Sequence, residues 1–121
     1  MRKRGIPVAI ASDNCRDAFY AYGDLDAVEL FRDAVKIMQL DHPVGDWSST
    51  VLKTAAQAIG QEKQGRLLPG EPADFILFPA RNWSEFISRP QSHRIVVRGG
   101  RLLQAEIPTY DELDDLKGMI V

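Results

Sequence analysis

The sequence predicts an α/β fold in two unlike parts: a strand, a polar loop and two helices, then a small antiparallel sheet. Three observations predict it. Ile6-Pro7-Val8-Ala9-Ile10-Ala11 is a short apolar run, which reads as a strand buried on both faces, the habit of parallel sheets and barrels. Two stretches with helical stripes follow. After a turn-rich stretch from Gly65 to Pro72 the pattern changes to short β runs. This order places one strand–helix unit of the barrel kind over residues 1–64, a separate sheet over 65–106 and an acidic tail over 107–121.

Asp26 to Leu40 is the clearest helix. Asp26 is its N-cap, and Glu29 completes a capping-box pattern. Ala27, Leu30, Phe31, Ala34 and Met38 form one face, which Val28, Val35 and Ile37 broaden. Pro43 stops it. A second helix is predicted over Ser49 to Ile59, capped by Ser48, with a stripe of Val51, Leu52, Ala55 and Ile59 and a stop at Gly60. Phe75-Ile76-Leu77-Phe78 reads as a strand ended by Pro79. Arg94 to Arg98 is another, and Gly99-Gly100 is a hairpin signal returning through Arg101-Leu102-Leu103. Asp111, Glu112, Asp114 and Asp115 make the tail a solvated last helix or a loose end.

Composition excludes several function classes. A length of 121 residues with 45% hydrophobic content suits one globular domain. A net charge of -2 offers no basic face for nucleic acid or an anionic membrane. No segment is long and apolar enough to span a bilayer or to be a signal sequence. The single cysteine, Cys15, cannot form an internal disulfide, so the expectation is a reducing, cytoplasmic setting.

Asp13 is the candidate site residue. It follows the apolar run, and barrel enzymes carry their working residues at the C-terminal ends of strands. A carboxylate there can bind a divalent metal and relay a proton. Taken alone, Ser12-Asp13-Asn14 is more commonly a turn.

The wider pattern carries a resemblance. Ser12-Asp13-Asn14-Cys15-Arg16-Asp17-Ala18-Phe19-Tyr20-Ala21-Tyr22-Gly23 resembles the last barrel strand and following loop of bacterial cytosine deaminases. Gly65-Arg66-Leu67-Leu68-Pro69-Gly70-Glu71-Pro72-Ala73-Asp74-Phe75-Ile76-Leu77-Phe78 looks like the entry to the small β domain of metal-dependent amidohydrolases, and Val97-Arg98-Gly99-Gly100-Arg101-Leu102-Leu103 is similar to its closing hairpin. The resemblance covers Arg4 to Leu103. It implies the last βα unit of a TIM-type barrel, followed by strands of a composite β-sandwich domain.

It also implies roles. Asp13 matches a catalytic, metal-binding aspartate, with iron or zinc as the metal. Asp17 and Gly23 match recurring loop positions. Phe19 stands where the bacterial enzymes place a tryptophan beside the pyrimidine; phenylalanine keeps an apolar face but loses the indole N–H. The implied reaction is hydrolytic deamination of a cyclic amidine or pyrimidine, with water attacking a ring carbon that bears an amino group and ammonia leaving. The implied ligand is a small nucleobase-like molecule.

The family's site also uses histidines and an acid/base glutamate that this chain lacks. His42 follows a helix, where it would meet the helix dipole, and His93 opens a surface strand. Cys15 lacks a Pro-Cys-x-x-Cys context and reads as a packed or loop thiol. Three protein ligands are the usual minimum for a catalytic ion, so no bound metal is expected in this chain alone. The expectation is a fragment, from a truncated or split gene or a longer chain. It would be inactive alone and would need a complementary N-terminal half or an oligomer partner. The alternative is a non-catalytic remnant, either a small interaction module or a pseudogene product.

Overall fold

The computed structural model describes residues 4–106 and 109–114. Helices α1, α2 and α3 span Ala27–Met38, Lys53–Ala58 and Trp83–Ser88; strands β1, β2 and β3 are Phe75–Leu77, Ile95–Arg98 and Arg101–Leu102. A 3₁₀ segment, Val44–Thr50, leads towards α2, and another, Tyr110–Leu113, lies in the acidic tail. The rest of the tail predicted over 107–121 lies outside the described residues.

α1 begins where the sequence places it, capped by Asp26. Asp26 is extended, and its carboxylate accepts from the Val28 N–H at 2.9 Å, satisfying one of the donors a helix start leaves open. Glu29 in the first turn and Lys36 in the last complement the helix dipole. Gln39, left-handed at φ 54°, closes the helix through its N–H to the Val35 carbonyl.

The predicted face needs correction. Phe31, Ala34 and Val35 are buried with Leu40, against Ile10, Val44, Trp47, Val51, Phe86 and Ile87. Ile37 is 81% exposed, Met38 is also exposed, and Arg32 is buried instead. Arg32 lies inward because its Nε donates to the Ile87 carbonyl at 3.2 Å while its aliphatic stem packs.

The second helix is shorter than predicted. Ser48 Oγ donates to the Gly45 carbonyl and Thr50 Oγ1 to the Trp47 carbonyl, at 2.8 and 2.6 Å. These hydroxyls bond back to the preceding turn rather than capping a helix, and with β-branched neighbours they hold 3₁₀ geometry. Thr50 and Ala56 are buried, whereas Leu52 and Ile59 of the expected stripe are exposed. Gly60, at φ 74°, stops α2 as predicted.

Residues 6–11 do not form the predicted strand. Ile6 is 49% exposed. A strand exists only when neighbours take its N–H and C=O groups. Here the Ile10 N–H donates at 3.1 Å to the Thr50 carbonyl, on a 3₁₀ segment rather than a strand. The segment therefore runs as irregular chain, anchored by Ile10 in the core.

The sheet is antiparallel in the order β1-β2-β3. Phe75 pairs with Val97 and Leu77 with Ile95; Arg98 pairs with Arg101. Gly99 and Gly100 take φ 55° and 73°, the double left-handed geometry of the tightest hairpin turn. Asp74 Oδ1 accepts from the Gly99 N–H at 2.6 Å, and the Ala73 carbonyl accepts from the Gly100 N–H, so the chain before β1 clamps the turn.

α3 was not predicted, although Asn82-Trp83-Ser84-Glu85 carries a cap signal: Asn82 Oδ1 accepts from the Glu85 N–H at 2.9 Å. Its Trp83 and Phe86 meet edge to face, and Phe31 of α1 and Phe78 after β1 pack edge-on against them. No helix among the described residues is long and apolar enough to cross a membrane.

Candidate functional site

Asp13 lies in the loop that joins the first irregular segment to α1. Its backbone is left-handed at φ 63°, which a short polar side chain tolerates, and its side chain is exposed. The loop is built by its own polar groups. Asp17 accepts from the Phe19 and Tyr20 N–H groups at 2.8 and 3.0 Å, a side-chain turn. Those N–H groups hold its carboxyl below the ordinary value of 3.8. The Arg16 N–H donates to the Tyr22 carbonyl, Arg16 Nε donates to the Gly23 carbonyl, and Arg16 Nη2 meets Asp24 at 2.9 Å. Gly23, at φ 90°, brings the returning limb beside Cys15, whose Sγ would lie 3.5 Å from any Cβ at Gly23. The two recurring loop positions therefore have structural work: Asp17 folds the tip and Gly23 permits the return.

Asp13 and Phe19 line one cavity of about 400 Å³, with Tyr20, Asp26, Glu29 and Asp33. Phe19 is 88% exposed, so its ring offers an apolar face to whatever enters. A larger opening, about 610 Å³, shares Tyr22, Gly23, Asp24 and Glu29 with it but contains neither Asp13 nor Phe19.

Asp26 and Arg94 join this loop to the sheet. Arg94 presents Nη1 to Asp26 Oδ1 at 3.0 Å and Nη2 to Asp26 Oδ2, a two-toothed ion pair across 68 residues of sequence. The Arg94 guanidinium, with the Val28 N–H, holds the Asp26 carboxyl below its ordinary 3.8 despite partial burial. A carboxylate whose folded value is depressed stabilises the fold above the unfolded value and stops doing so as pH falls through the folded one. Acid unfolding is therefore expected to steepen below the ordinary value of 3.8, and Asp26→Asn is expected to flatten that limb. Tryptophan emission followed during acid titration of both proteins checks this.

A divalent ion does not fit the residues present. Among the described residues there is no group of three or more His, Cys, Asp or Glu side chains placed to hold a metal. His42 lies beyond α1, almost wholly exposed, with Nε2 3.5 Å from Asp41. His93 is exposed just before β2, as the sequence suggested. Asp13 alone could offer at most one ligand where three are usual. Asp26, Arg94 and the buried Arg32 were missed as structural partners, since no local pattern marks a pair formed across the fold.

Comparison with known proteins sets this loop in context. A family model described as "Amidohydrolase family" matches residues 1–104. This chain belongs to the amidohydrolase family. It is also 53% identical over 114 residues to a pterin deaminase of Rhizobium rhizogenes, an alignment covering 94% of this chain and 26% of that protein. The amidohydrolase chain thus spans about a quarter of the length of the curated relative it matches. No solved structure matches it. The helices and antiparallel sheet are consistent with an α/β amidohydrolase, and the relative is a deaminase.

Proposed function

We propose that this chain is the C-terminal portion of a metal-dependent deaminase, which brings Asp13 and the loop up to Leu25 to an active site completed by amidohydrolase sequence outside these 121 residues. The observation that carries the reading is that Asp13 and Phe19 share one cavity in a chain 53% identical to a deaminase. In this reading residues 6–13 take their place as the last strand of a TIM-type barrel once neighbouring strands bind them, and β1–β3 belong to a small sandwich domain. Asp13 would be one of the residues that hold an iron or zinc ion in the completed site, where the ion would activate water for attack, and its carboxylate would hold or pass on a proton. Phe19 stacks on the substrate ring. The single cysteine suits a cytoplasmic setting.

The substrate is a cyclic amidine carrying an exocyclic amino group. Cytosine and pterin both contain that grouping. Pterin is the better candidate for two reasons. The relative is a pterin deaminase, and phenylalanine is smaller than the tryptophan of the cytosine enzymes, leaving room for a second fused ring.

The test is co-expression of this chain with the part of the Rhizobium rhizogenes pterin deaminase that the alignment leaves uncovered. Ammonia release is then measured from pterin and from cytosine. A co-purifying complex that releases ammonia from pterin is the expected result. A co-purifying complex that deaminates neither compound would favour the non-catalytic interaction module. In the active complex Phe19→Ala is expected to raise KM about tenfold with little change in kcat, as loss of a stacking face should. Steady-state kinetics on pterin checks the split.

A further inference from the structure

Arg94 lies outside the loop that carries Asp13 and Phe19, yet three observations tie it to that loop's exit. Its guanidinium holds both oxygens of Asp26, which lines the same cavity. Asp24 lies close enough to attract the same guanidinium and is itself held by Arg16, so charges of alternating sign run from the loop's entry to β2. Leu25, between the two acids, is left-handed at φ 54°, a conformation a leucine adopts only when its surroundings impose it. Both side chains of the Asp26–Arg94 pair are about three-quarters removed from solvent, so the pair is screened less than a surface one.

We propose that Arg94 is a positioning residue that latches the exit of the Asp13–Leu25 loop, so that the cavity shared by Asp13 and Phe19 keeps its shape only while Arg94 grips Asp26. This deepens the functional reading above and rests on it for its consequence in catalysis. The latch itself is a property of the free chain and is tested without any activity.

Cys15, the single cysteine, is half-buried beside Gly23 on the returning limb, so its thiol reports opening of the loop. Alkylation of Cys15 by a small maleimide is followed in the full 121-residue chain. Emission from Trp47 and Trp83, in and beside the α1 core, serves as the control for global folding. Arg94→Gln is expected to raise the labelling rate about fivefold with unchanged emission, the scale of losing a charged two-toothed contact. Arg94→Lys keeps the charge but not the fork and should restore part of the protection. Asp26→Asn keeps an oxygen to cap α1, so it tests the latch without removing the cap. The Arg94→Gln/Asp26→Asn double variant should label no faster than the faster single one, because both break one interaction. Unchanged labelling in Arg94→Gln with native emission overturns the proposal, as does additivity in the double variant. If Arg94→Gln unfolds, Asp26→Asn decides alone: native emission with faster labelling supports the latch, and unchanged labelling overturns it.

Discussion

In the complex proposed above, Asp13→Asn is expected to lower kcat about a thousandfold, the scale of removing a positioned general base. The substitution is chosen because the structure gives it nothing else to do. Asp13 is exposed and left-handed, and asparagine tolerates that backbone as well as aspartate does. The loop is held by Asp17, Arg16 and Gly23, none of which depends on the Asp13 charge. What is lost is a negative charge and a group able to accept a proton. Cys15 labelling should therefore stay at its original rate while ammonia release from pterin falls. A variant that keeps more than a tenth of the activity would remove Asp13 from the chemistry and leave its left-handed turn as its whole role. Asp13→Glu is the complementary case. It keeps charge and basicity but carries a longer side chain on a backbone that suits it poorly, so it should retain more activity than asparagine yet fall short of aspartate.

The parts of this fold legible in the sequence are those whose causes are local. Gly99-Gly100 demands its turn wherever it stands between β runs, and β2 and β3 form on either side of it. Asp26 caps α1 because a carboxylate before an apolar helix finds the first free N–H groups. The failures are those in which a partner decides. Ile6 to Ala11 has the composition of a buried strand, but composition cannot supply the neighbours that would bind its backbone, and the segment stays irregular. The apolar positions of α1 cover so wide an arc that periodicity leaves the buried direction open. Contact with the end of α3 then settles it, drawing Arg32 in and leaving Ile37 out. The same limit applies to the site. Asp13 and Phe19 were singled out because they share one loop that carries a family pattern. Arg94 was not, because its link to Asp26 exists only once strand and helix are assembled.

Gly65→Ala is expected to be the most damaging small substitution to stability, and the reason is a backbone contact that no side-chain rearrangement can relieve. A Cβ at Gly65 would lie 2.5 Å from the Leu52 carbonyl carbon, 2.6 Å from its oxygen and 2.7 Å from the Lys53 nitrogen. Those atoms are the start of α2, so the turn from Gly65 to Pro72 can reach the sheet only by passing directly over the beginning of that helix. Gly65 is also left-handed, at φ 69°. The left-handed strain costs about 1–2 kcal/mol and the overlap about 1–3 kcal/mol more, together a large share of the stability of a chain this size. Gly60→Ala provides the control: its φ of 74° is nearly the same, and a Cβ there meets nothing within 4 Å. Both variants should lose the left-handed term, and only Gly65→Ala should lose the second. Thermal unfolding followed by tryptophan emission should therefore place Gly60→Ala a few degrees below the parent and Gly65→Ala roughly 10 °C or more below it. Equal shifts in the two variants would mean that the approach of the Gly65 turn to Leu52 is looser in solution.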